Sequence, residues 1–210
     1  MPETSAPQVH ATDAPATDGV QVVCPTPEAT RAPARALGSG LGGGDVVVLD
    51  SPLGAGKTTF VQGLALGLGV TAPVTSPTFV LARHQRPDPD GPRPDGPELV
   101  HVDAYRLAGA LELDDLDLDS DLDRAVVVVE WGEGLAERLS PARVEVRLAR
   151  AEGATGPTDL TGTPGPTGTT DPADASDATG PEPRTVHVRP VGLGADRTRR
   201  LLALVQEAAA

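Results

Sequence analysis

The sequence predicts an α/β layered fold with a largely parallel sheet, and three observations predict it. Val46-Val47-Val48-Leu49, Leu99-Val100-His101-Val102 and Val126-Val127-Val128-Val129 are short, Val-rich runs. Runs of this kind read as strands buried on both faces, as in parallel sheets. Helical patterns lie between them, and alternation of the two is the signature of layered α/β folds. Finally, a glycine-rich turn, Ser51–Thr59, joins a strand of this type to an amphipathic helix.

The elements follow in order. Residues 1–19 are Ala, Thr, Pro, Asp and other mostly polar types without periodicity, and read as a disordered tail. Thr26-Pro27-Glu28 supplies an N-cap residue followed by proline at the first helical position, so a helix is expected to about Leu37. Pro33 is expected to kink or shorten it. From Lys57 onward, Phe60, Val61, Leu64 and Leu68 share a helical face, and Gly69 is a suitable stop. Thr78–Ala82 reads as a weaker strand. Arg86–Pro97, dense in Pro, Asp and Gly, reads as a long exposed loop. In Val144–Leu148 and Val186–Arg189 apolar and polar residues alternate, the pattern of half-exposed edge strands. A last helix is expected from about Ala195 to Ala208. Residues 151–183 contain only Glu152, Leu160 and Glu182 outside Ala, Gly, Thr, Pro, Asp and Ser. Such a stretch cannot bury enough apolar area to offset its ordering entropy. The organisation expected is thus a tail over 1–19, a folded domain over 20–150, a flexible insertion over 151–183, and a strand and helix over 184–210 that complete the domain. About 150 residues remain for the core, enough for a single one.

Composition excludes several function classes. The 17 Lys+Arg stand against 30 Asp+Glu, a net charge of −13, which argues against a sequence-independent grip on nucleic acid. The single cysteine, Cys24, permits no internal disulfide and reads as an ordinary buried residue. No apolar run reaches the ~20 residues that span a bilayer. Met1-Pro2-Glu3-Thr4 begins no secretory signal, so a soluble, cytoplasmic protein without membrane contact is expected.

Ser51-Pro52-Leu53-Gly54-Ala55-Gly56-Lys57-Thr58-Thr59 carries the strongest chemical signal. Small residues between a buried strand and a helix N-terminus let backbone N–H groups converge on a phosphate, with the helix dipole adding positive potential. Lys57 then reaches the β/γ oxygens, and the Thr58 hydroxyl ligates magnesium. The pattern departs from G-x-x-x-x-G-K-[ST] at its first position, where Ser51 replaces glycine and carries strain if the turn needs an unusual backbone angle there.

Asp103 and Glu130 each end a Val-rich run. Ligands of open α/β sheets sit at the carboxyl ends of strands. There, one acid can hold magnesium and the other can position or polarise an attacking water. For either acid alone, a strand cap exposed to water is the simpler reading. The four aromatics of the chain, Phe60, Phe79, Tyr105 and Trp131, fall in the same window as the loop and both acids.

Taken in order, Leu53-Gly54-Ala55-Gly56-Lys57-Thr58-Thr59-Phe60, Ser76-Pro77-Thr78-Phe79, His101-Val102-Asp103-Ala104-Tyr105-Arg106-Leu107 and Glu130-Trp131-Gly132-Glu133 resemble the TsaE family, over about residues 26–150 with an echo at Arg184–Gly192. The resemblance implies a P-loop NTPase-like three-layer fold with a predominantly parallel central sheet. It implies magnesium-dependent ATP hydrolysis supporting threonylcarbamoyl transfer to adenosine 37 of tRNAs that read A-starting codons. The chain would act as a resetting subunit beside TsaD and TsaB, meeting tRNA only through that complex. By position, Lys57, Asp103 and Glu130 look like the catalytic residues, and Thr58 and Glu130 like the Mg2+ ligands. The ATP-binding set would comprise Thr30, Leu53, Gly54, Ala55, Gly56, Lys57, Thr58, Thr59, Thr78, Trp131 and Arg184, with Ser76-Pro77-Thr78 resembling a switch-like segment.

Two other functions fit the loop. A P-loop kinase for a small molecule would need an arginine-bearing lid, and none is visible. A nucleotide-dependent interaction module with decayed ATPase is favoured only by Ser51. The acid-rich segment 111–123, with seven acids and no base, lacks the central Gly and terminal Glu of an EF-hand and reads as a solvated helix face. His84 and His101 are not at metal-ligand spacing and read as structural.

Overall fold

The element order is β1 (Val20–Cys24), α1 (Pro27–Gly40), β2 (Val46–Leu49), α2 (Lys57–Leu68), β3 (Ala82–Gln85), β4 (Glu98–Asp103), β5 (Ala125–Glu130), β6 (Arg143–Arg150), β7 (Arg184–Val191) and α3 (Ala195–Glu207). These come from a computed structural model that describes residues 19–77, 80–106, 122–132, 134, 139–150 and 182–210. The tail over 1–18, the bulk of the insertion (151–181), Thr78, Phe79 and the acid-rich stretch up to residue 121 lie outside the described residues.

The strands form one sheet in the order β1-β7-β6-β2-β5-β4-β3. The centre is parallel: β6 with β2, β2 with β5, and β5 with β4. The flanks, β1 with β7, β7 with β6, and β3 with β4, are antiparallel. This is the mixed α/β architecture with a parallel centre that the sequence predicts. The Val runs account for it directly. Val47, Leu49, Val126, Val128 and Leu99 enter one core with α1, α2 and α3. Their alternate neighbours Val46, Val48, Val100, Val102, Val127 and Val129 form a second core on the opposite face. Because side chains alternate faces along a strand, an unbroken apolar run is required wherever both faces are covered.

Three local expectations are corrected. α1 is not shortened at Pro33 but runs 14 residues through it, past Leu37 to Gly40. Thr26 caps it, its Oγ1 accepting from the Ala29 N–H at 3.1 Å. The single hydrogen bond lost at Pro33 is outweighed by burial of Pro33, Ala34, Leu37 and Gly38. Glycines of α2 permit that burial: a Cβ at Gly67 would lie 2.1 Å from the Arg35 carbonyl oxygen of α1, so only glycine lets the two helices approach this closely. The weaker strand expected over Thr78–Ala82 begins only at Ala82. Both Val80 and Leu81 donate to the Pro77 carbonyl, and Leu81 takes a φ of 63°, a turn that β-branched composition does not reveal. Finally, β6 and β7 are half-exposed but not edges; β1 covers the edge on that side. Alternation reports one uncovered face, not a missing neighbour.

The loop over residues 86–97 is found where expected, yet it is more than exposed chain. Arg93 donates to the carbonyls of Gly38 (3.1 Å), Gly67 (3.2 Å) and Leu41 (2.9 Å), gathering the C-terminal ends of α1 and α2. Such carbonyls have no partner within their own helices, and a guanidinium satisfies several at once.

Candidate functional site

The carboxyl end of β2 leads through Ser51–Gly56 into α2. Gly56 adopts a φ of 101°, and α2 begins with neither a side-chain cap nor an acidic residue in its first turn. Its N-terminal amides are therefore left for an anion, and the helix dipole favours one. Gly54, at φ 74°, has open space where a Cβ would be. Ser51 is not among the residues of positive φ, so serine carries no backbone strain there. Its hydroxyl accepts the buried Leu148 N–H at 2.7 Å and donates to the Asp50 carbonyl at 2.6 Å, tying the loop to β6.

Lys57 is 6% exposed. Its Nζ donates to the carbonyls of Ser51 (2.8 Å) and Pro52 (3.1 Å) and lies 3.9 Å from the centroid of the Trp131 ring. Burial pushes the lysine pKa down, while the carboxylates of Glu130, Asp103 and Asp50 pull it back in part. Among the described residues the Lys57 ammonium donates to two loop carbonyls, with a ring face above it, and it makes no direct ion pair.

Register brings the acids together. Asp103 of β4 pairs directly with Glu130 of β5. By the two-residue period both share the face of Leu99 and Val128, the face on which α2 packs. Asp103 is 4% and Glu130 3% exposed. Asp103 Oδ1 accepts the Tyr105 N–H at 3.0 Å. Trp131 sits at φ 60°, strained for a bulky residue, and its N–H donates to the Leu49 carbonyl at 2.8 Å, locking the ends of β5 and β2 together. The Tyr105 and Trp131 rings lie 5.3 Å apart.

These groups enclose a cavity of about 560 Å³ lined by Leu53, Gly54, Gly56, Lys57, Thr58, Thr59, Ser76, Asp103, Tyr105, Glu130 and Trp131. The residues fit a magnesium–nucleotide. The Thr58 hydroxyl and two carboxylates are hard oxygen donors, and magnesium takes one or two protein carboxylates while substrate phosphates supply the rest. Among the described residues no group of three His, Cys, Asp or Glu is placed to hold a metal.

Of the residues expected from sequence, Leu53, Gly54, Gly56, Lys57, Thr58, Thr59, Asp103, Glu130 and Trp131 thus meet in one cavity. Ala55 is buried in the core beneath the loop, its N–H donating to the Pro52 carbonyl. Thr30 and Arg184 lie outside the lining. Thr30 is 2% exposed with its hydroxyl donating to the Thr26 carbonyl, and Arg184 pairs with Glu182 at 3.0 Å. Arg184 is the register partner of Cys24, at the same carboxyl end of the sheet as the loop; burial raises the Cys24 pKa, and the nearby Thr30 side chain lowers it against that rise. Thr78 lies outside the described residues. Sequence reasoning missed His101, which is fully buried with Nε2 2.9 Å from Glu130 Oε1. His101 precedes Asp103 by two and so shares its face, but only the register of β4 on β5 shows that it meets Glu130.

A strand, phosphate loop and helix beside two buried acids on adjoining parallel strands define the class: a P-loop-type α/β protein. A crystal structure of YdiB from Bacillus subtilis superposes with a TM-score of 0.56 at 26% identity, over 90% of this chain and 94% of that one. The family model described as threonylcarbamoyl adenosine biosynthesis protein TsaE matches residues 24–156, and the chain belongs to the TsaE family. A Mycobacterium tuberculosis relative, named tRNA threonylcarbamoyladenosine biosynthesis protein TsaE, is 55% identical over 140 residues, covering 64% of this chain and 81% of the relative. Relatives of the same name are 55% identical over 122 residues in Streptomyces coelicolor (58% of this chain, 79% of the relative) and 40% identical over 126 residues in Bacillus subtilis (60% and 74%). Among the described residues no helix is long and apolar enough to cross a membrane.

Proposed function

We propose that this protein is a magnesium-dependent ATPase of the cytoplasm that supports threonylcarbamoylation of adenosine 37 in tRNA as an accessory subunit beside TsaD and TsaB. Family membership supplies the process. The observation that carries the chemistry is the convergence of Lys57, Thr58, Asp103 and Glu130 on one cavity.

In this reading Lys57 leaves the Ser51 and Pro52 carbonyls and takes the β/γ-phosphate oxygens, which offer a full negative charge in place of carbonyl dipoles. The amides at the start of α2 hold the adjacent phosphate. Thr58 and Glu130 hold Mg2+, which when bound neutralises charge on the phosphates. Asp103, fixed by the Tyr105 N–H, orients the attacking water and accepts its proton. Trp131 and Tyr105 wall the cavity and keep bulk water from the reacting phosphate. Thr30 is assigned to the adenine end of the nucleotide and Arg184 to its flank, both outside the cavity lining, while Ser76-Pro77-Thr78 is assigned to a switch-like segment near the γ-phosphate. The net charge of −13 fits contact with tRNA through partner subunits and not through this chain's own surface.

Reconstitution tests the reading: multiple-turnover threonylcarbamoylation of tRNA by TsaD and TsaB, with and without this chain and ATP. Turnover that requires both is expected. Undiminished turnover without the chain, or ATP-dependent phosphorylation of a metabolite by it, overturns the proposal.

A further inference from the structure

We infer that His101 is a positioning residue for the Glu130 carboxylate, a hydrogen-bonding prop that fixes one oxygen of that acid, leaves the other for a metal and keeps the group off Lys57; the inference rests on the nucleotide reading above. His101 is fully buried and Glu130 nearly so, and their only direct link is Nε2 to Oε1 at 2.9 Å. His101 Nδ1 is buried and has no hydrogen-bond partner among the described residues. That pattern selects one tautomer. A carboxylate oxygen accepts, so the form that bonds Glu130 is one with the hydrogen on Nε2. The opposite tautomer would set a lone pair against the carboxylate and leave a buried N–H unsatisfied, which is worse on both counts.

The consequence is an acid with one oxygen fixed. Glutamate has three side-chain torsions, and an unrestrained Glu130 beside a buried lysine would collapse into an ion pair with it. Instead Lys57 bonds the Ser51 and Pro52 carbonyls, and Glu130 bonds the His101 imidazole. The two charges are stored separately, the cation for phosphate and the anion for metal. Outer partners of ligating side chains commonly control metal affinity by 10- to 100-fold. The register explains why this histidine serves: His101 is opposite Val128 on the neighbouring strand, one position diagonal to Glu130 on the same face, within reach of a long side chain.

The test is calorimetric titration of ADP into the full chain at varied Mg2+ and in EDTA, with fluorescence of Trp131, the single tryptophan, as a second readout. His101→Phe keeps the volume and removes the donor. It is expected to raise the Mg2+ concentration at half-saturation about tenfold or more, leaving metal-free ADP affinity within about twofold. In a Glu130→Gln background the same change is expected to add nothing. His101→Gln, whose Nε2 reaches the place of the imidazole Nε2, is expected to retain most Mg2+ affinity; His101→Asn, too short, is not. Should His101→Phe fail to fold, the Gln and Asn pair decides. An unchanged Mg2+ requirement in His101→Phe, an equal loss in EDTA, or identical behaviour of Gln and Asn overturns the inference while leaving the nucleotide reading intact. Wild-type protein that binds no ADP with Mg2+ removes both.

Discussion

Two glutamates show how differently the two halves of this sheet use the same residue. Glu130 ends β5 in the parallel centre, where every residue of the strand is buried. Glu145 sits in β6, where burial alternates and one face is open. Glu145 is paired with two cations, Arg143 and Arg189, each at 2.5 Å. Burial pushes its pKa up, but hydrogen bonds from Arg189 and Arg143 outweigh this and hold it below the usual carboxylate range. Among the described residues the Glu130 carboxylate has a single partner, the imidazole of His101 at 2.9 Å, and no arginine or lysine within ion-pair distance. The flank spends its charges on each other and gains a modest ion-pair network. The centre keeps an anion and a cation apart, at a cost in desolvation, and so has both available for a ligand. A doubly covered strand end is where that cost can be sustained, because the cores on both faces supply the stability.

The contrast can be broken or sharpened experimentally. The largest effect is expected from Lys57→Ala, which should lower Mg·ADP affinity by about a hundredfold or more in calorimetry, since it removes the buried cation facing the phosphates. Arg189→Ala, a flank cation, should leave that affinity within about twofold; equal losses would erase the distinction. Next, Asp103→Asn and Glu130→Gln should reduce ATP hydrolysis about 10²-fold or more with a smaller effect on ADP binding, whereas Glu145→Gln should hydrolyse at the wild-type rate. Near-normal turnover in the first two would return those acids to strand caps.

Stability should follow the same division. Val128→Ala, at a fully buried centre position, should cost about 2 kcal/mol in denaturant unfolding. Val23→Ala, 62% exposed on β1, should cost no more than about 0.5 kcal/mol. Ser51→Gly restores the usual loop glycine yet strips the Leu148 N–H of its acceptor, and should lose about 1 kcal/mol. A gain in stability would mean the serine is strained after all. The smallest effect concerns pH. Glu145 has a folded pKa below its unfolded one, so its stabilisation is present above the ordinary glutamate pKa of roughly 4.3 and is lost as pH falls through the lower folded value. Glu145→Gln should therefore flatten the fall of Tm in that acid window and leave the profile near neutrality unchanged.

The phosphate loop and both acids were legible because each occupies a short, unbroken segment whose neighbours dictate its context: Val runs ending in Asp103 and Glu130, and glycines between a strand and a helix. The role of His101 was not legible, because metal-ligand spacing is the wrong question for a residue that meets its partner 29 positions away across a strand pair. Arg93 escaped for the same reason; its loop reads as Pro-rich surface, while its acceptors belong to the ends of two distant helices.

By itself, the sequence determined what is local and periodic: strands from Val runs, a helix start from Thr26 and Pro27, an anion-ready turn from Gly54 and Gly56, and a surplus of acid. Only the tertiary structure decided which strands adjoin, that β1 and not β6 closes the sheet, that Ser51 serves as an acceptor for β6, and that Glu130 bonds a histidine instead of the lysine. Periodicity tells each residue which face it occupies. The register between strands, set by packing across the whole sheet, decides which residue it meets there.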